Sequence, residues 1–81
     1  MTTWRERSLE QALAGEALRR VIRTSDLKQQ AVAAQMGIGP EQLSRYLNGH
    51  TLWSGGVDDL RRAVLDAISA LLVERSKSDA A

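Results

Sequence analysis

The side chains best equipped for chemistry sit together in "GPEQLSRYLNG", residues 39–49. At about 100° per residue on a helix, Leu43 and Leu47 fall on one side with Tyr46 at its edge. Glu41, Ser44, Arg45 and Asn48 fall on the other. That polar side, with Gln42 beside it, carries the types that read base edges: Arg for guanine, Gln for adenine, Glu for cytosine and Ser for several. Asn48, at the far end, suits a phosphate. Lys28, Gln29 and Gln30 open the preceding helix, where free backbone N–H groups and the helix dipole attract phosphate.

Plainer readings stand beside these. Glu41 and Arg45 are four apart and can pair on a solvated face for about 0.2–0.5 kcal/mol. Asn48-Gly49 alone is a common helix stop. His50 reads as a loop residue that adds charge near DNA when protonated. Trp53 reads as a loop anchor on the core or, if exposed, as a dimer contact. "RRVIR", residues 19–23, reads as a solvated face, with contact to a DNA backbone as the alternative.

Catalysis finds little support. Gly37-Ile38-Gly39 lacks the later glycine and Lys-Ser/Thr of a nucleotide loop, and it follows a helix rather than a strand. No His, Asp and Ser are spaced as a triad, so no catalytic residue is expected. Cys is absent and His50 is the single histidine, so neither a metal nor another cofactor is expected. No apolar leader follows Arg5, Glu6 and Arg7, and no apolar run is long enough for a bilayer. A cytoplasmic protein with no membrane partner and no small-molecule ligand is the expectation.

The elements that must hold these residues are helices. Hydrophobic residues make up 43% of the 81 and Phe is absent, which implies one small aliphatic core. Ser8, with Gln11 three later, predicts the start of a first helix over 8–24, stopped by Thr24-Ser25-Asp26. Leu9, Leu13, Ala17 and Val21 recur every four residues along it. Gly15 weakens it by about 1 kcal/mol relative to Ala, a cost that makes sense if a neighbour comes close. A second helix is predicted over 28–36 with Gly37 as its left-handed stop, and a third over 40–48 with Pro40 in its first position. "HTLWSGG" reads as a loop. A fourth helix follows over 57–75, and 76–81 reads as a frayed polar tail. The fold class expected is all-α, a small bundle of four helices forming a single domain.

Ala33, Gly37, Ile38, Leu43 and Tyr46 also fall on the fixed spacing of a helix-turn-helix unit. The stretch from about Gly15 to Gly49 resembles the Cro/repressor-type, lambda repressor-like family of phage and bacterial regulators. "MGIG" and "LNG" are especially similar to it. The resemblance implies a helix-turn-helix over about 28–48, with the second helix across the DNA backbone and the third in the major groove. Gln29 would contact phosphate and brace the start of the third helix; Glu41, Gln42, Ser44 and Arg45 would face bases; Asn48 and Thr51 would touch phosphates. Lys28 stands where Ser or Thr usually caps the second helix, Asp26 replaces a turn glycine, and Pro40 takes the place of a polar base reader.

The formal net charge is only +1, so a DNA partner has to be argued from geometry. The fourth helix is also too apolar for its place. Leu60, Val64, Ala67, Ile68 and Leu71 make one stripe, and Leu65 and Leu72 widen it beyond the roughly 100° that one core contact needs. That surplus predicts a homodimer through Trp53, Leu65, Ile68 and Leu72, matching the paired half-sites such proteins usually bind. The combined expectation is a homodimeric repressor on a palindromic double-stranded operator. The alternatives are an activator or antitoxin-like regulator that binds a protein through its last helix, and a protein-interaction module without DNA binding.

Overall fold

The computed structural model describes residues 3–79, which form a small all-α bundle of four helices. They are α1 (Trp4–Thr24), α2 (Gln29–Met36), α3 (Pro40–Leu47) and α4 (Val57–Asp79). The core is aliphatic, as composition requires. Leu18 and Ile22 come from α1, Val32 and Ala33 from α2, Leu43 and Leu47 from α3, and Leu60, Val64, Ala67 and Ile68 from α4.

α1 begins a turn earlier than predicted. Thr3 caps it, its hydroxyl accepting the Glu6 N–H at 3.2 Å, and Glu6 adds a negative charge at the positive helix end. Ser8 therefore lies inside the helix, and its hydroxyl donates to the Gly49 carbonyl 41 residues away. α1 stops at the predicted place. Asp26 adopts a left-handed backbone, φ 58°, which Asp tolerates better than most side chains. Arg75 of α4 donates to the exposed carbonyls of Ser25 and Asp26 at 3.3 and 2.9 Å.

Between α2 and α3 the chain makes a three-residue corner. The Ile38 N–H reaches Ala33 O and the Gly37 N–H reaches Ala34 O, at 3.0 and 3.1 Å, the paired closure of a Schellman turn. Ile38 packs against the core from inside the corner, and Pro40 then starts α3. α4 outruns its predicted end and continues to Asp79, because Ser76, Lys77 and Ser78 include no breaker; Ala80 and Ala81 of the expected tail lie outside the described residues.

Two residues expected at a dimer contact belong to the monomer. Ile68 is core, 4% exposed, because it follows Val64 by one turn on the side of α4 that meets the other helices. Trp53 packs edge-on to Tyr46, ring centroids 4.9 Å apart, and its indole N–H donates to Asp59 at 2.7 Å. Leu65 and Leu72 do remain exposed.

α1 and α3 approach closely, backbone against backbone. A Cβ on Gly15 would lie 1.9 Å from the Leu47 carbonyl oxygen, and one on Gly49 2.3 Å from Ser8 O. Gly49 also has φ 76°, which leaves glycine as the residue that fits. Beside this contact Gln11 is 2% exposed. Its amide donates to Tyr46 O and Thr51 O at 2.7 and 2.6 Å and accepts the Trp53 N–H at 2.8 Å. Such a group stabilises only while every partner is present.

Two substitutions test this packing. Gly15→Ala would raise stability by about 1 kcal/mol on helix propensity alone; the clash reverses the sign, and urea unfolding should show a loss of about 2 kcal/mol or more. Gln11→Leu keeps the volume but strands the Thr51 carbonyl and the Trp53 N–H, while the Tyr46 carbonyl keeps only the Gly49 N–H at 3.2 Å. It should cost about 3 kcal/mol or more and lower the thermal midpoint by more than about 10 °C.

Candidate nucleic-acid interface

α3 divides its residues sharply. Leu43 and Leu47 have no exposed surface, whereas Pro40, Glu41, Gln42 and Arg45 lie toward solvent and Ser44 and Asn48 are half-buried. The buried leucines fix the rotation of a helix only eight residues long. The polar side therefore faces out as a unit. The chain then turns through Gly49, and the N–H groups of His50 and Thr51 return to Arg45 O at 2.9 and 3.4 Å. With Gln11 holding Thr51 O, both His50 and Thr51 are left exposed beside the end of α3.

Several of these side chains are partly committed inside the protein. Gln42 accepts the Gly39 N–H through Oε1 at 3.1 Å, so its acceptor closes the helix start and its N–H₂ remains as a donor. Asn48 Oδ1 accepts from the Arg19 guanidinium, and its Nδ2 donates to Ser44 Oγ at 3.4 Å. Ser44 thus accepts along its own helix and keeps a proton to donate outward. The side chain of Asn48 is turned along the protein surface rather than held out toward a phosphate. Its amide oxygen lies beside a cation, which satisfies it better than water does.

Arg19 belongs to the stretch read from sequence as a solvated face or, alternatively, a contact to a DNA backbone; what sequence reasoning misses is its partner, for α1 carries it to Asn48 at the C-terminal end of α3. It stands one turn after Gly15, on the flank of α1 that meets α3. That register is visible only once the Gly15–Leu47 contact is known. Gln29 is half-buried in a cleft lined by Arg19, Ile22, Arg23 and Leu27. Lys28, at the N-cap of α2, makes no side-chain cap bond and is exposed, as is Gln30.

Arg19 and Arg23 border one cleft with Gln29; Lys28 stands just before Gln29 at the N-cap of α2, and Arg45 is exposed on α3. Glu41 is the acidic residue on that side of α3. Among the described residues the ion pairs are Glu16–Arg20 at 3.5 Å and Asp58–Arg61 at 3.2 Å; Glu41 and Arg45 do not form one. Both project independently, so each can meet its own partner.

Among the described residues no group of three or more His, Asp or Glu is placed to hold a metal ion, and no helix is long and apolar enough to cross a membrane. No protein family, no curated protein and no solved structure matches this chain.

Proposed function

We propose that this protein is a sequence-specific DNA-binding regulator of transcription, a repressor of phage or bacterial type rather than an enzyme. It would insert α3 in the major groove of a double-stranded operator and act by occluding it. One observation carries the reading. A short helix, fixed in rotation by two fully buried leucines, presents Glu41, Gln42, Ser44 and Arg45 outward together. A three-residue corner joins it to a helix whose start bears Lys28 and Gln29. The spacing shared with the Cro/repressor-type family supports the same assignment.

In this reading Arg45 pairs with guanine through its two-pronged guanidinium, and Glu41 accepts from a cytosine amine. Gln42 and Ser44 offer donors to base acceptors. Lys28, Gln29, Gln30, His50 and Thr51 hold phosphates, and Arg19 joins them at the end of α3 where Asn48 is already engaged. Pro40 presents no polar group, so it fixes the helix start and contributes shape. Phosphate contacts supply most of the affinity and base contacts the choice of site. Operators read this way are paired half-sites, bound by two copies of the chain.

A pure protein-interaction module is the reading from another class, and the modest net charge of +1 favours it. Selection from fragmented genomic DNA, with sequencing of what is retained, separates the two. Recovery of a palindromic site is expected. Arg45→Ala should weaken binding to it by about 1–3 kcal/mol, roughly 5- to 150-fold, and relax preference at one base pair. Lys28→Ala should weaken all sequences alike and lower the slope of log K against log salt by about 1. A folded protein that shows no salt-dependent DNA binding would sink the reading.

A further inference from the structure

α1 presents a second face that none of the preceding contacts uses. Leu9 and Leu13 are 62% and 61% exposed, and Val21 is also left open; with Ala17 they recur every four residues along one side. Leu13, Ala14 and Ala17 share a groove with Val57 and Arg61 of α4. Leu65 and Leu72, one and three turns beyond Arg61, extend that wall and are exposed as well. Gly15, which touches α3, lies about 160° round α1 from Leu13. The apolar face is therefore turned away from α3.

We propose that this face is where a second copy of the chain docks, with the two α1 helices antiparallel and crossing at Leu13. The charge pattern selects this partner and this register. Glu6, Leu13 and Arg20 are spaced seven apart, so they fall almost on one line along the helix. The acid stands at one end, the base at the other, and the leucine midway. A twofold axis through Leu13 sets Glu6 against the partner's Arg20 at both ends, and Leu9 beside the partner's Ala17, large against small. Among the described residues Arg20 pairs with Glu16, at 3.5 Å and with both side chains well exposed, a weak contact that leaves it able to engage a second carboxylate.

The area fits as well. Four aliphatic side chains of α1 and two of α4 present apolar surface on the scale of a few hundred Å². A standard interface buries about 800 Å² per partner, somewhat more than half of it apolar. The contact is isologous and closes after two copies. It draws on no residue of the DNA-facing side, so it stands or falls independently of the proposed function.

Sedimentation of the full chain at tens of micromolar tests it, with circular dichroism to confirm that each variant is folded. The wild type should be a dimer. Leu13→Glu, at an exposed position, should raise the dimer dissociation constant at least 100-fold while the helical signal persists. Glu6→Arg and Arg20→Glu should each weaken self-association at least 10-fold, because each sets like charges together at both ends. An equimolar mixture of those two variants should associate again, since opposite charges face each other at both ends of the mixed pair. A monomeric wild type at millimolar concentration would overturn the proposal. So would self-association that Leu13→Glu leaves intact, or charge variants that fail to associate when mixed.

Discussion

The approach of α1 to α3 governs the rest of the molecule. At Gly15 the absence of a side chain lets the backbone of Leu47 lie against the helix, closer than any Cβ would allow. Around that point Ser8, Gln11 and Arg19 all reach across. Each is a polar group on a flank that would otherwise face water, and each finds a fixed partner at the end of α3 or in the loop after it. The outcome is a short helix held by its C-terminal end. An eight-residue helix has little stability of its own, so α3 owes its direction to these contacts and to the two leucines beneath it.

If α3 reads a groove as proposed, holding it in this way has an effect on recognition. A helix that reads a groove must present several side chains in one fixed relation, or the ordering cost falls on the binding step. Here the hydroxyl of Ser44 is already oriented by Asn48, which is oriented by Arg19. Gln42 is tied at one end to Gly39. Arg45 and Glu41 keep their freedom. The surface is thus part rigid and part adaptable, and the rigid part is the one nearest the contact with α1.

Much of the architecture is legible in the sequence because it rests on local rules. The stop at Thr24-Ser25-Asp26, the left-handed Gly37, the start at Pro40 and the apolar stripe of α4 follow from spacing and backbone chemistry alone. Gly15 is readable as a close approach, though not what approaches. The start of α1 is ambiguous because Ser8-Gln11 and Thr3-Glu6 both look like caps, and long-range bonding to Gly49 and the loop claims Ser8 and Gln11 for another task. The bonds that Arg19, Gln11 and Asn48 make across the fold are illegible for the same reason: the partners lie 29 to 42 residues apart. Ile68 goes to the core rather than to a dimer contact because a helical wheel gives the width of an apolar stripe but not which part the other helices cover. The stripe of Leu9, Leu13, Ala17 and Val21 has the same ambiguity: its period marks a helix, and only the packing of α1 reveals that it faces outward.

Arg75 also bears on how the chain comes to be folded in a cell. It closes the carbonyls of Ser25 and Asp26 from 50 and 49 residues downstream, and Leu60 and Val64 supply buried surface beneath the earlier helices. During synthesis, then, the first three helices leave the ribosome without their floor and with the turn after α1 uncapped. The unit becomes complete when the last turns of α4 emerge. Until that moment the nascent chain has the sequence of α3 but no rigid base to hold its outward side chains in one fixed relation.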